Sequence, residues 1–180
     1  MGPFPEIGID GVRLVPLTLH HDPRGWLFEA YRDGWMDKAQ ELQVNVMWSR
    51  ANVLRGPHVH GRHTDWFVIA SGESLVGLKD ARRRSDTRGA IEFVRLHANA
   101  PAALVVPPGV IHGVYFPAES LLVTVESSTY DPEEEFRCRW NDPALEIAWP
   151  FADPCLSDSD RHAPSYADML LEFEGAHAEL

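Results

Sequence analysis

At 180 residues the chain suits one domain with a core of ordinary size, and a single domain over residues 1–180 is expected. Its 44% hydrophobic and 24% charged content is that of a globular protein, and no apolar run approaches the roughly 18–20 residues that span a bilayer. The formal net charge of −11 argues against a broad face for nucleic acid or membrane, but a few converging arginines can still hold one small anion.

The start, Met1-Gly2-Pro3-Phe4-Pro5, has neither the basic head nor the apolar run of a secretion signal. Two cysteines, Cys138 and Cys155, make no disulfide framework. Together these features predict reduced thiols in a cytoplasmic protein.

In chain order, short apolar runs fall at Val12–Leu19, Trp66–Ala70, Ser74–Leu78, Ile91–Leu96, Ala103–Val106, Val114–Phe116 and Leu121–Glu126. Gly72, Pro107-Pro108-Gly109 and Pro117 stand between them, where turns need such residues. That rhythm predicts an all-β sandwich or closed barrel. A short helix is expected near Trp35–Leu42. A second is expected after Ser165, which has capping-box spacing to Asp168 and is followed by Tyr166, Met169, Leu170 and Phe173 at helical intervals. This C-terminal helix should cover an end or face of the barrel. Arg82-Arg83-Arg84 reads as a solvated turn.

Two histidine clusters stand out. The first is Leu54-Arg55-Gly56-Pro57-His58-Val59-His60-Gly61-Arg62-His63, and the second is Pro107-Pro108-Gly109-Val110-Ile111-His112-Gly113. If the first segment is extended, His58 and His60 share a face. A lone histidine in a barrel is commonly a packed or solvated residue. Two clusters bracketing a run of strands point instead to a shared mouth, where small ligands bind.

The spacing His58-x-His60-x4-Asp65-x6-Gly72, with Pro107-x-Gly109-x2-His112 later, is similar to the two cupin motifs, with Asp65 where glutamate is usual. The rest resembles a narrower branch, the dTDP-4-dehydrorhamnose 3,5-epimerases. The matching pieces are Asp22-Pro23-Arg24-Gly25-Trp26-Leu27-Phe28-Glu29, Gln43-Val44-Asn45, Val53-Leu54-Arg55-Gly56-x-His58 and Asp80-Ala81-Arg82-Arg83. They continue with Pro107-Pro108-Gly109-x-x-His112-Gly113, Tyr130-Asp131-Pro132, Arg139-Trp140-Asn141-Asp142-Pro143 and Leu156-Ser157-x-x-Asp160. Each piece is weak alone; the ordered series carries the resemblance.

The resemblance implies an all-β, cupin-type jelly-roll barrel with short flanking helices. It also implies epimerisation of a dTDP-linked 4-keto-6-deoxy sugar at C3, C5 or both. Such chemistry needs a base for the proton beside the ketone, an acid to return one on the other face, and stabilisation of the enolate between. An imidazole, with an unperturbed pKa of about 6.5, suits the base, and a carboxylate behind it fixes the tautomer. By resemblance His58 is the base, Asp160 its partner, and His112 lies near the enolate. Taken alone, Asp160 in Ser157-Asp158-Ser159-Asp160 reads as a solvated acid. Arg24 and Arg55 match pyrophosphate-holding positions. Glu29, Gln43 and Asn45 match positions near the base and phosphates, with Phe28 close by. The Arg24 segment serves the neighbouring subunit's site in the family, which implies a homodimer with shared active sites.

Two departures fall at the centre of this site. The family's acid is a tyrosine, and its position is Thr124 counting back from Pro132, or Val125 counting forward from His112; Tyr115 and Tyr130 are nearby but do not align. Asp65 replaces a lysine that helps stabilise the enolate, and an acid there opposes negative charge. The epimerases hold no catalytic metal, so no cofactor is expected. The alternative is a divalent metal on His58, His60, Asp65 and His112, a set suited to Fe, Mn, Ni or Zn. The bland alternative is drift, with His60 and Asp65 paired to His63 or Arg62. Three readings follow: a nucleotide-sugar epimerase, a metal-dependent cupin isomerase or dioxygenase on a small polar substrate, and a binding protein that has lost catalysis.

Overall fold

The structure is a computed structural model, and it describes residues 6–23, 25–35 and 42–180. Among them are thirteen strands: β1 Glu6–Ile7, β2 Ile9–Pro16, β3 His20–Asp22, β4 Gly25–Leu27, β5 Gln43–Ser49, β6 Val53–Val59, β7 Asp65–Ser71, β8 Glu73–Asp80, β9 Ile91–His97, β10 Ala102–Val106, β11 Val110–Phe116, β12 Ser120–Glu126 and β13 Phe136–Arg137. Two α-helices follow, α1 Asp158–Arg161 and α2 Tyr166–Ala176.

The strands form a six-stranded sheet, β1-β2-β10-β7-β12-β5, a five-stranded sheet, β13-β6-β11-β8-β9, and the hairpin β3-β4. Every pairing is antiparallel. The two large sheets face each other across a core that includes Val12, Phe67, Ile69, Leu104 and Leu122 from one and Val76, Leu78, Leu96, Val114 and Phe116 from the other. A mostly β protein with few short helices is therefore the observed class.

Both sheets are also partly covered on their outer faces. Val59, Ile111 and Phe136 pack with Met169 and Phe173 of α2. Trp66, Val68 and Val125 pack with Phe28, Tyr31 and Trp35, and the Trp66 indole N–H donates to Ala30 O at 2.7 Å. Double cover explains why Trp66-Phe67-Val68-Ile69 is a continuous apolar run rather than an alternating one.

Glycine makes one of these outer contacts possible. Gly77 and Gly113 are register partners on β8 and β11, and a Cβ on Gly77 would lie 2.6 Å from the Trp149 ring. The pair leaves the slot that the indole fills.

The seven apolar runs all lie in strands, although β2 starts earlier than expected and ends at Pro16, short of Leu19. α2 begins where the Ser165 cap predicts, with Ser165 Oγ accepting from Asp168 N at 3.1 Å. The helix expected near Trp35–Leu42 lies mostly outside the described residues. The reading of Arg82 as solvated is corrected. Its guanidinium binds Asp80 at 2.8 and 2.9 Å and reaches Asp10 O at 2.7 Å, while Arg83 and Arg84 are exposed. No helix among the described residues is long and apolar enough to cross a membrane.

Candidate active site

A cavity of about 480 Å³ opens between the two sheets. Its walls include Asn45, Met47, Thr124 and Glu126 from the six-stranded sheet, and Arg55, His58 and His112 from the five-stranded one.

β6 presents its residues to this cavity through an irregularity. His58 pairs with His112 but Arg55 with Val114, so β6 carries one extra residue over that step. Gly56 occupies it with φ +88°, a conformation that favours glycine, and a Cβ there would lie 2.9 Å from His112 O. Such a bulge re-aims side chains. Arg55 and His58, three apart, both line the cavity, and so does His60, two residues beyond His58. Val59 between them points to the outer cluster.

His58 Nε2 lies 2.8 Å from Asp160 Oδ1. Ser157 caps α1: its Oγ accepts from Asp160 N at 3.0 Å and donates to Asp160 Oδ2 at 2.8 Å. Burial opposes ionisation of Asp160, but the bonds from His58 and Ser157 outweigh it and hold the carboxyl below its ordinary range. The carboxylate is 7% exposed, so this is no solvated acid.

Opposite, Asn45, Thr124 and Glu126 form a network. Asn45 Nδ2 donates to Glu126 Oε1 at 2.7 Å and to Thr124 Oγ1 at 3.3 Å. Val125 packs against the outer cluster, so Thr124 is the residue that faces the cavity. No tyrosine lines the cavity among the described residues: Tyr115 donates to Asn52, and Tyr130 is 57% exposed. Gln43 accepts from Tyr130 N at 2.8 Å and donates to Asn45 Oδ1 at 3.2 Å, beside the cavity. Arg55 Nε donates to Ser49 Oγ at 3.0 Å.

His60, Asp65 and His112 are buried and line the cavity, and His63, also buried, lies against Asp65 without lining it. His63 Nε2 is 3.5 Å from Asp65 Oδ1, and His112 Nε2 is 3.7 Å from Asp65 Oδ2. His60 stacks on His63 with ring centroids 4.1 Å apart. Burial pushes the His60 pKa down to about 3 and lowers that of His112. Burial also opposes charge on His63 and Asp65, but their mutual attraction wins, raising the first pKa and lowering the second.

Glu29 and Phe28 do not reach this cavity. Glu29 pairs with Arg32 at 2.6 Å on the surface, and Phe28 stacks on Trp26. Arg24 lies outside the described residues. Sequence reading missed Glu126, Glu135 and Arg137, which also line the cavity. Glu126 was findable, since it lies two residues beyond Thr124 on the same strand face. Glu135 was not, because it ends the run Glu133-Glu134-Glu135, which reads as a solvated face.

The arrangement offers a carboxylate-backed imidazole beside a cavity of small-molecule size. Comparisons with known proteins show which family the chain belongs to. The family described as dTDP-4-dehydrorhamnose 3,5-epimerase matches residues 6–168. The dTDP-4-dehydrorhamnose 3,5-epimerase of Pseudomonas aeruginosa is 32% identical over 172 residues, 91% of this chain and 95% of the relative. A dTDP-4-dehydro-6-deoxyglucose 3-epimerase from a Streptomyces species is 31% identical over 171 residues, 89% of this chain and 87% of the relative. In three dimensions the chain is similar to ChmJ, a 3'-monoepimerase from Streptomyces bikiniensis solved in complex with dTDP-quinovose. The TM-score is 0.80 at 28% identity, over 97% of this chain and 99% of that one.

Proposed function

Because the chain belongs to the dTDP-4-dehydrorhamnose 3,5-epimerase family, an isomerase family with the cupin-type jelly roll, we propose that it epimerises a dTDP-linked 4-keto-6-deoxy sugar at C3, C5 or both. The observation that carries this reading is the 2.8 Å contact between His58 and Asp160 at the wall of the cavity.

In this reading the Asp160 carboxylate holds the proton on His58 Nε2. Nδ1 is then the basic nitrogen that takes the proton beside the ketone. The Asp160 charge stabilises the imidazolium so formed. The enolate develops toward His112. The other face carries Thr124 and Glu126 where the family resemblance implies a tyrosine. Reprotonation there falls to water or to a displaced group, so inversion is slowed more than exchange.

Arg55, Gln43 and Asn45 hold the nucleotide, with Arg55 on the pyrophosphate. The resemblance assigns the Asp22–Glu29 segment to the second subunit's site in a homodimer. A stripe of exposed apolar residues supports pairing. Val44, Val46 and Trp48 on the outer face of edge strand β5 are 60%, 65% and 55% exposed, and Trp26 and Leu27 are also exposed. Cys138 and Cys155 are unpaired, consistent with a cytoplasmic setting.

The test is incubation of dTDP-4-keto-6-deoxyglucose in D₂O with NMR of both ring positions. Deuterium should enter at C3, C5 or both, and His58→Asn should abolish entry. Binding of dTDP without exchange would overturn the enzyme reading in favour of a binding protein.

A further inference from the structure

A second cluster, behind the proposed base, is not used by that reaction. One ring nitrogen each of His60 and His63 and one oxygen of Asp65 lie within 4.8 Å of one another, and all three residues are buried. His112 faces the other Asp65 oxygen.

The hydrogen bonds around these rings fix which nitrogens are left to bind a ligand. His112 Nδ1 lies 3.1 Å from Val110 O, and His60 Nδ1 lies 3.3 Å from Glu134 O. A carbonyl only accepts, so both Nδ1 atoms carry the proton. In the neutral ring this leaves each Nε2 with a bare lone pair. That of His112 lies 3.7 Å from a carboxylate oxygen of Asp65, so two acceptors are turned toward each other at the cavity wall. The separations of 3.5 and 3.7 Å around Asp65 exceed the roughly 2.7–3.2 Å of an N–H···O bond. They are close to the roughly 3.4 Å that separates two ligands each about 2.1 Å from one tetrahedral ion. A metal-binding histidine typically gives its other N–H to a carbonyl, as His60 and His112 do. Register adds a further acid, since Glu126 is the direct cross-strand partner of Asp65.

We propose that His60, His63 and Asp65, flanked by His112, form a binding site for one divalent transition-metal ion beside the cavity. The donor set of imidazoles and one carboxylate suits Zn²⁺, Co²⁺, Ni²⁺ or Fe²⁺ better than Ca²⁺ or Mg²⁺. His58 is not a member, because its Nε2 is committed to Asp160; the four-residue set read from the sequence exchanges His58 for His63. The site stands independently of the epimerase reading. If that reading also holds, the ion restores positive charge where Asp65 replaced the family's lysine.

The experiment is a Co²⁺ titration of chelator-treated full-length protein, followed by visible d–d absorption and calorimetry. One Co²⁺ per chain with a ligand-field spectrum is expected, competed by Zn²⁺. His63→Ala and Asp65→Asn should each weaken binding by about 100-fold or more, while His58→Asn should leave the spectrum unchanged. Should His63→Ala fail to fold by circular dichroism, the near-isosteric Asp65→Asn decides. No saturable Co²⁺ binding, or binding indifferent to Asp65→Asn, overturns the proposal. Because no sugar is present, failure here leaves the exchange experiment intact, and the reverse also holds.

Discussion

The imidazole of His58 and the carboxylate of Asp160 meet at 2.8 Å although they lie 102 residues apart in the chain. The contact depends on two local devices: the Gly56 irregularity that turns His58 inward, and the Ser157 cap that fixes Asp160 at the start of α1. If the pair is a base with its orienting carboxylate, His58→Asn should lower proton exchange by about 10²–10⁴-fold. Asp160→Asn should cost less, and Ser157→Ala less again. Exchange rates by NMR at saturating substrate check the order. An Asp160→Asn rate equal to wild type would remove the dyad from the mechanism.

Thr124 faces the cavity from the sheet opposite His58. Thr124→Tyr should raise inversion relative to exchange, provided the ring fits beside Asn45. The ratio of epimerised product to deuterated, unepimerised substrate measures this. An unchanged ratio with retained dTDP binding would show that a donor at 124 is not what limits inversion.

Much of this site was legible in the chain. His58 and His60 share the cavity because residues two apart in an extended segment share a face, and turn residues marked the breaks between β7 and β8, β10 and β11, and β11 and β12. β5 was missed, and β6 was read as extended only conditionally, for physical reasons. β5 points its apolar residues Val44, Val46 and Trp48 outward and its polar Asn45 inward, the reverse of a simple core strand. β6 contains Gly56-Pro57, which reads as a turn but here serves a bulge. The place of His63 could not be read either, since only the fold of the segment after His60 brings its ring against Asp65.

The β5 stripe gives a surface prediction. Val46→Glu places a charge on an exposed side chain and should leave the monomer's stability within about 0.5 kcal/mol of wild type. It should convert a dimer to a monomer by light scattering and weaken dTDP binding at the shared sites. A dimer with unaltered dTDP affinity would move the interface elsewhere.

Gly77→Ala tests the Trp149 slot. The new Cβ would meet the indole at 2.6 Å. Overpacking of this kind costs about 1–3 kcal/mol, read as a lower midpoint in urea. A midpoint equal to wild type would mean that the ring can shift freely.

Asp80 carries an acid-dependent share of stability. Burial opposes its charge, but hydrogen bonds from Arg82, Ser85 and Thr87 prevail and hold its pKa below the ordinary value. A depressed carboxylate stabilises the fold fully above its unfolded pKa, about 3.9. That contribution is lost as pH falls from there through the folded value. The stability gap between wild type and Asp80→Asn should therefore be constant near neutrality and shrink toward pH 3. A gap that widens on acidification would contradict the assignment.

The proposed chemistry stands or falls on proton exchange at the sugar ring. In D₂O, with dTDP-4-keto-6-deoxyglucose, the protein should place deuterium at C3, C5 or both, faster than it inverts those carbons, and His58→Asn should stop both processes. Rapid inversion at both carbons that survives His58→Asn would contradict the account.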